Sequence, residues 1–402
     1  MTKIFKTYKF AIRPTDEQKV KMEKHFGCCR FVYNYFLRER MDDYVENGKS
    51  DNYFGQAKKL TILKKELTWL SEVGSQSLQS SLKNLEKAYV NFFGKRAKFP
   101  RFKRKHSRNS FSIPQNVELV KDKSGDFSKV CLLKFPKFKE GVKIRVHREL
   151  PKDTKINSCT IIKESDGKYF ACLLTEVNHR QMKKTHKTVG IDVGIKHLIT
   201  MSNGEKIENP KFAKLYKSKL AKSQQHLSRK KKGSNSYDNQ RRKVASLQSK
   251  ISRCRTDNLH KISHNLVKDF DLICTETLAV KQMMSKQNDK KGLSFCLADC
   301  SFGTLLAMLK YKCEWNGKTF VQIDRFFPSS KMCHKCGHIH EGLRLRDRNW
   351  TCSSCSITHD RDVNAAKNIL KQGKALIKLE NKRRAKLSKS GRDRSITPVE
   401  KV

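Results

Sequence analysis

The sequence predicts an α+β protein of several domains, and three observations carry the prediction. Short strand-like runs (SFSI, VELV, KVCLLKF, VKIRV, CTIIKE, KYFACLLTEV) follow a helical block near the start. A hairpin-rich unit, TVGIDVGIKHLITMSNGEKIE, opens a second region in which apolar strands alternate with helices. Two Cys-x2-Cys pairs, Cys333/Cys336 and Cys352/Cys355, lie near the C-terminal end with fifteen residues between them.

Composition narrows the partners. The 402 residues hold 87 Lys+Arg against 39 Asp+Glu, a formal charge of +48, and the excess runs along nearly the whole chain. A field of that sign and size calls for a polyanion, and it does not separate DNA from RNA. No membrane partner is expected, because no apolar run reads as long enough to span and MTKIFKTYKF lacks the apolar core of a signal peptide. Fourteen cysteines, four of them in the two knuckles and most others in apolar or helical patterns, suit a reducing compartment.

Taken in order, KIFKTYKFAI (3–12) reads as a basic strand. Pro14 and Thr15 then open a helix, with Gln18 completing a capping box and Asp16 and Glu17 in the first turn; it continues through Val20, Phe26 and Phe31 towards Tyr44. A second helix runs from about Gln76 to Phe93 on Leu78, Leu82, Leu85, Tyr89 and Phe92. FPRFKRK (99–105) ends the block and mixes aromatic and cationic side chains, as a loop facing nucleic acid would. The strands of 110–176, separated by Lys-Ser-Gly and Asp-Gly turns, suggest a small antiparallel sheet or barrel. If residues 3–12 join it, the helical block is an insertion into a β domain.

From Thr188, Val189–Asp192 reads as a buried strand, Gly194 as a bend, and Asn203-Gly204 as a type I′ hairpin turn. An aspartate within an apolar strand is costly unless its charge is used, so Asp192 is either a structural carboxyl or a metal ligand. Residues 211–270 give two basic helices broken near Lys230–Asn235; the second buries Val244, Leu247, Ile251, Leu259, Ile262 and Leu266 and presents Arg241, Arg242, Lys243, Lys250, Arg253 and Arg255. Residues 270–278 form another apolar strand, with Glu276 near its end. A helix at 301–316 and a strand at 318–323 lead to the cysteines.

Four thiolates in two knuckles can close a tetrahedron around Zn²⁺, and a closed four-Cys site is structural. LRLRDRNWTC between the knuckles alternates like a hairpin strand. After the second knuckle, HDRDVNAAKNIL puts Asp360 and Asp362 at the mouth of a helix, where an aspartate serves either as a cap or as a ligand. After Leu370 the charged, weakly patterned remainder reads as a mobile tail.

Three carboxylates share one context: Asp192 in a first strand, Glu276 at the end of a later one, and Asp362 at the start of a terminal helix. This is the order of an RNase H-like fold, whose three carboxylates hold two Mg²⁺ (or Mn²⁺) ions for phosphodiester hydrolysis. At this point the chain resembles a family, TnpB, the RNA-guided nucleases of small bacterial transposons. The resemblance rests on YKFAIRPTDEQ, FGCCRFVYNYFL, SQSLQSSLKNLEKAYVNFF with FPRFKRK, GIDVGIKHLIT, ICTETLAVKQM, FFPSSKMCHKCG and HDRDVNAAKNI. It implies a RuvC nuclease site at Asp192, Glu276 and Asp362, with Asp360 as the neighbouring alternative. Glu276 is followed by Thr-Leu, where such proteins often have Asn-Leu or Asp-Leu.

The resemblance also implies a layout. A wedge strand (1–12) and wedge β-barrel (110–182) flank a helical recognition domain (13–109). A RuvC nuclease domain (183–322, with the basic hairpin 211–270; then 359–372) contains a zinc ribbon (323–358), and a basic tail (373–402) follows. The implied partners are a guide RNA from the transposon end and a double-stranded DNA target beside a short flanking motif. Gln76 and Gln79 would read that motif, while Arg101, Lys103, Arg104, Arg241, Arg242 and Lys331 would contact nucleic acid. A bacterial cytoplasmic monomer is expected. The alternative reading is a guide-RNA-dependent repressor or accessory transposon protein that binds without cutting. The intact carboxylate triplet separates the two, since a repressor has no use for it. A transposase is not expected, for want of a His-hydrophobe-His motif paired with a nucleophilic Tyr.

Overall fold

In a computed structural model, residues 2–105, 109–120, 131–148, 150–151, 154–285, 292–344 and 346–389 are described, without the side chains of Lys281 and 386–389. The Lys-Ser-Gly turn at 123–125 and residues 390–402 lie outside them. The chain divides into two compact units, residues 1–179 with 229–246, and residues 180–228 with 247–402.

The first unit is built on β1 (Thr2–Arg13), which buries Ile4, Tyr8, Phe10 and Ile12 on one face and exposes Lys3, Lys9 and Arg13 on the other. The helices α1 (Asp16–Asn47), α2 (Tyr53–Glu66) and α3 (Ser75–Phe93) follow. Then come β2 (Asn109–Ile113), β3 (Glu118–Val120), β4 (Cys131–Phe135), β5 (Phe138–Arg145), β6 (Lys155–Lys163) and β7 (Tyr169–His179). These make one antiparallel sheet of order β2-β6-β7-β1-β5-β4-β3. Because β1 pairs with β7 (Thr2↔His179 to Ile12↔Tyr169) and with β5, the helical block is an insertion within a β domain. Where the sequence suggests a barrel, β2 and β3 are the sheet's two edges, and no ladder joins them among the described residues.

One apolar core joins sheet and helices through Phe10, Phe26, Phe36, Leu78, Leu82, Leu85, Phe111 and Phe138. On α1 the buried stripe is Met22, Phe26, Cys29, Tyr33 and Phe36, whereas Val20 and Tyr44 are exposed. The capping box forms as read: the Gln18 N–H donates to Thr15 Oγ1 (3.3 Å) and the Thr15 N–H to Gln18 Oε1 (3.2 Å). Thr15→Ala removes the cap, and the expected cost is about 1 kcal/mol in equilibrium denaturation.

The second unit opens with β8 (Thr188–Val193), β9 (His197–Met201) and β10 (Lys206–Glu208), followed by α4 (Phe212–Leu215), α5 (Lys217–Ser228) and α6 (Asn235–Asp269), of which residues up to 246 count with the first unit. Next come β11 (Leu272–Glu276), α7 (Val280–Met283), α8 (Leu293–Cys300), α9 (Phe302–Trp315) and β12 (Thr319–Ile323). β13 (Asn349–Thr351), β14 (Thr358–Asp360) and α10 (Arg361–Lys389) close the unit. The sheet order is β10-β9-β8-β11-β12, with β8, β11 and β12 parallel and β9 antiparallel to β8, as expected of an RNase H-like core.

The two faces of this sheet are distinct. Val189, Ile191, Val193 and Ile273 pack with Leu259, Ile262 and Leu266 of α6 and with Leu297, Leu305 and Leu309 of α8 and α9. The opposite face, carrying Cys274 and Ile323, packs on Ile369, Leu370 and Leu376 of α10. Four sequence expectations change here. The turn after β9 is a three-residue loop in which Gly204 alone of the turn residues has positive φ (+96°), with the Gly204 N–H donating to Met201 O; this is a type I turn closed by a glycine rather than type I′. The helix α10 runs on to Lys389, because Leu376 still packs on the sheet, so the mobile tail expected from residue 373 is helical as far as it is described.

Among its described residues LRLRDRNWTC contributes strand only at 349–351, which pairs with 358–360 beyond the second knuckle. Leu343 instead turns into the small ribbon core with Trp350. Lastly, the 23 residues Leu293–Trp315 are apolar enough by composition (mean hydropathy 1.4) to match a membrane span. They break at Ser301, whose φ is +53°, and bury Leu297, Phe302, Leu305 and Leu309 in the core.

Candidate active site and metal centre

The strand register places the first two carboxylates. In the parallel ladder Cys274 stands beside Gly190 and Thr275 beside Ile191, so one step further Glu276 stands beside Asp192. Alternation puts both on the α10 face, since Ile191 and Ile273 point to the other core. Both lie at the carboxyl ends of their strands, Asp192 next to last in β8 and Glu276 last in β11. The carboxyl ends of parallel strands are where open α/β sheets gather ligands.

The helix α10 supplies the third. It approaches β8 so closely that a Cβ on Gly190 would lie 2.1 Å from the Ala366 carbonyl oxygen and 2.7 Å from the Leu370 nitrogen. Further along, a Cβ on Gly373 would lie 2.3 Å from Cys274 Sγ. Asp362 is one turn before Ala366 on the same helix face, which brings it to the Asp192 end of the sheet. Burial first, and then the charges of Glu276 and Asp362, push the Asp192 carboxyl up to about 8, although Arg361 and the Val193 N–H pull the other way. Burial also raises Glu276. Glu276 and Asp362 therefore both act on Asp192, but the oxygens of the three are not all within 4.8 Å.

The two aspartates at the helix mouth have different tasks. Asp360 Oδ1 accepts the N–H groups of Asp362 and Val363 (3.0 Å each), and its Oδ2 is 2.6 Å from Lys206 Nζ. Despite partial burial, Lys206 and those two N–H groups hold Asp360 below the usual carboxylate range. Asp360 is thus the cap. Asp362 makes an open ion pair with Arg348, at 3.4 Å, and no other side-chain bond among the described residues. The donor set of Asp192, Glu276 and Asp362 is all carboxylate oxygen, which suits Mg²⁺ or Mn²⁺ and poorly suits soft metals. Thr277, next to Glu276, donates its hydroxyl to the Ile323 carbonyl (2.8 Å).

Cys333, Cys336, Cys352 and Cys355 have their four sulfurs within 4.8 Å of one another, with Cys333–Cys355 and Cys336–Cys352 each at 3.6 Å. The backbone N–H of His338 and the neighbouring thiols draw Cys336 down to about 6. Cys355 is pushed up to about 12, its favourable backbone N–H from Ile357 outweighed by the three sulfurs it faces. The donors fit tetrahedral Zn²⁺. Cys336→Ser is expected to lose bound zinc, read by native mass spectrometry, and to expose Trp350, now buried among the knuckles, read by a red shift of its fluorescence.

Sequence reading missed the parts that hold these groups. His359 Nε2 lies 3.0 Å from Cys333 Sγ, and Asn364 and Asn368 are buried against the first knuckle. The paired asparagines four residues apart were the available signal. The nucleic-acid candidates remain separate surface positions. Arg101, Lys103 and Arg104 are exposed on a segment tied to α1 by two hydrogen bonds between Asn34 and the Lys103 backbone (2.8 and 3.0 Å). Lys103 Nζ sits 3.9 Å over the Tyr33 ring. Arg241 and Arg242 are exposed on α6, and Lys331 is exposed beside the first knuckle. Gln79 is exposed on α3, while Gln76 lines a cavity with His25, Asn116, Lys137 and Lys139, its buried Oε1 having no hydrogen-bond partner among the described residues.

Comparison with known proteins shows the family and the fold. The family OrfB_IS605, described as "Probable transposase", matches residues 171–287. A "Cas12f1-like, TNB domain" family matches 302–369, across the ribbon. A helix-turn-helix family matches residues 1–49, although here that stretch is one strand and one unbroken helix. A Streptomyces pristinaespiralis protein is 39% identical over 93% of this chain and 91% of its own length. InsQ of Escherichia coli (strain K12) is 31% identical over 100% and 99%. Both carry the name "Putative RNA-guided DNA endonuclease". Among solved structures, the protein of a Cas12f1-sgRNA-target DNA complex matches with a TM-score of 0.58 and 13% identity, covering 91% of this chain and 98% of that one.

Proposed function

The chain belongs to the TnpB-like family of RNA-guided DNA endonucleases, and from that membership we propose that it cuts double-stranded DNA beside a short flanking motif by metal-dependent phosphodiester hydrolysis at Asp192, Glu276 and Asp362. The observation that carries this reading is the approach of three carboxylates from sequence-remote elements to one end of the sheet, where Glu276 and Asp362 act on Asp192. When bound, Mg²⁺ or Mn²⁺ supplies a water of lowered pKa and a counter-charge for the leaving 3′ oxygen. Asp192 and Glu276 hold fixed ligand positions on adjacent strands. Asp362 completes the set from a helix whose first turn is capped by Asp360, and Arg348 and Arg361 place positive charge at its edge to receive the phosphate backbone.

The other assignments follow the same reading. A guide RNA from the transposon end supplies sequence recognition by pairing, and the protein grips the duplex through shape and phosphates. Arg101, Lys103, Arg104, Arg241, Arg242 and Lys331 are the cations for that grip. Gln76, with its unpaired oxygen in a cavity flanked by Lys137 and Lys139, and the exposed Gln79 on the same helix are positioned to read the flanking motif. The first unit's sheet and inserted helices serve as wedge and recognition domains. Zn²⁺ on the four cysteines is structural. A single copy acts, in the bacterial cytoplasm where its target DNA lies.

The test is to purify the protein with the RNA transcribed from the 3′ end of its own gene. A matching target beside a randomised flank is then offered with Mg²⁺ or with EDTA. Linear product that requires Mg²⁺ and enriches one flank supports the reading. Tight RNA-dependent binding without a cut under either condition overturns it in favour of a repressor.

A further inference from the structure

The helix that carries Asp362 is held from two sides. One face lies on Gly190 and Cys274 of the sheet. On the other side, Asn364 and Asn368, each 1% exposed, turn away from the sheet towards the first cysteine knuckle. Asn364 Nδ2 donates to the Met332 carbonyl (2.7 Å), and its Oδ1 accepts the His334 N–H (3.0 Å). Asn368 Nδ2 donates to the carbonyls of Met332 (2.6 Å) and Ser329 (2.8 Å). These carbonyls and that N–H bracket Cys333. A third link runs through β14, where His359 Nε2 meets Cys333 Sγ one residue before the Asp360 cap.

Surface helices do not bury two adjacent carboxamides without reason. A buried amide is costly unless it is hydrogen-bonded, and hydrophobic residues would fill the same space at no such risk. What the carboxamides add is direction: each bond fixes α10 against one backbone atom of the knuckle. The knuckle in turn has a defined shape only when its sulfurs are drawn together.

We propose that Asn364 and Asn368 are positioning residues that bolt the metal-loaded first knuckle to α10 and thereby set where Asp362 stands. The ribbon is then part of the nuclease centre's scaffold. This inference rests on the reading of Asp192, Glu276 and Asp362 as a divalent-metal site, and the experiment separates the two.

The experiment compares the full chain with Asn368→Asp, which removes both donated bonds while keeping the shape, and with Asn368→Ala, which adds no charge. Three quantities are read: zinc per chain, hydrogen exchange at the amides of Asp362–Ala366, and Mn²⁺ affinity by electron paramagnetic resonance, with Asp192→Asn defining the signal that belongs to the carboxylates. With zinc retained, exchange in that first turn is expected to quicken about tenfold while α9 is unchanged, and Mn²⁺ affinity to fall about tenfold. Stripping zinc from the parent with a chelator should quicken the same amides and add little in the Asn368 variants, because both act on one connection.

Unchanged exchange in the zinc-stripped parent, or unchanged exchange and Mn²⁺ affinity in both variants, overturns the proposal. Acceleration spread equally over α9 and β8 also overturns it, since the asparagines would then serve only the fold. Should the parent bind no Mn²⁺ while the exchange coupling appears, the positioning stands and the divalent-metal reading falls.

Discussion

Asp192→Asn is expected to reduce DNA cleavage on the order of a thousandfold or more while leaving RNA-guided target binding close to that of the parent. The same change should make the metal-free protein more stable at pH 8. Asp192 is held at about 8 in the folded chain against an ordinary 3.8, through burial and the charges of Glu276 and Asp362. A carboxyl whose folded pKa is raised contributes stability below its unfolded pKa and loses it as pH rises through the folded value. The window is therefore from about 4 to about 8. Across that window the parent should lose thermal stability through this group, and Asp192→Asn should not. The melting temperature of the variant at pH 8 should then lie several degrees above the parent's without metal. Added Mg²⁺ or Mn²⁺ should narrow the gap by stabilising the parent alone. Loss of activity together with loss of stability would mean that Asp192 serves the fold rather than a metal.

Gly190→Ala is expected to be the most damaging single methyl in the second unit. Its Cβ would meet the Ala366 carbonyl oxygen at 2.1 Å and the Leu370 nitrogen at 2.7 Å. Both are backbone atoms inside a helix, so no side chain can swing away. Relief requires α10 to lift from β8, which breaks the packing of Ile369 and Leu370 and carries Asp362 off the Asp192–Glu276 pair. Overpacking usually costs about 1–3 kcal/mol, and rigid backbone on both sides puts this case at about 3 kcal/mol or more. Denaturant unfolding measures the stability, and Mn²⁺ affinity measures the displaced carboxylate. By contrast Gly303, with nothing near its Cβ direction, should accept alanine with little effect.

Much of this architecture was legible before any coordinates, and the reason is local chemistry. The capping box at Thr15–Gln18, the apolar stripe of α3 and the two Cys-x2-Cys pairs each determine their structure within a few residues, and each formed as read. Asp192 and Glu276 stood out because a carboxylate in an apolar strand demands a purpose. What the sequence withheld depends on distant partners. Whether a seven-stranded sheet closes depends on edges that meet or fail to meet, and alternation within each strand is the same in both cases. The roles of Asp360 and Asp362 could not be divided by propensity, since either can cap a helix; the ion pair that distinguishes Asp360 comes from Lys206, 154 residues away. Gly190 is read from the sequence as one more residue of a strand, and its importance appears only when α10 lies on it. The continuation of α10 past residue 372 was hidden because most of its surface is charged and only positions such as Leu376 touch the sheet.

The most direct measurement is guide-programmed cleavage of one defined plasmid target in Mg²⁺, run side by side for the parent, Glu276→Gln, Asp362→Asn and Asp360→Asn. Linear product from the parent, none from Glu276→Gln or Asp362→Asn, and product at a modestly reduced rate from Asp360→Asn would match the division of labour at the mouth of α10. Cleavage that survives loss of Asp362 and disappears with Asp360 would contradict it and move the third ligand two residues up the chain.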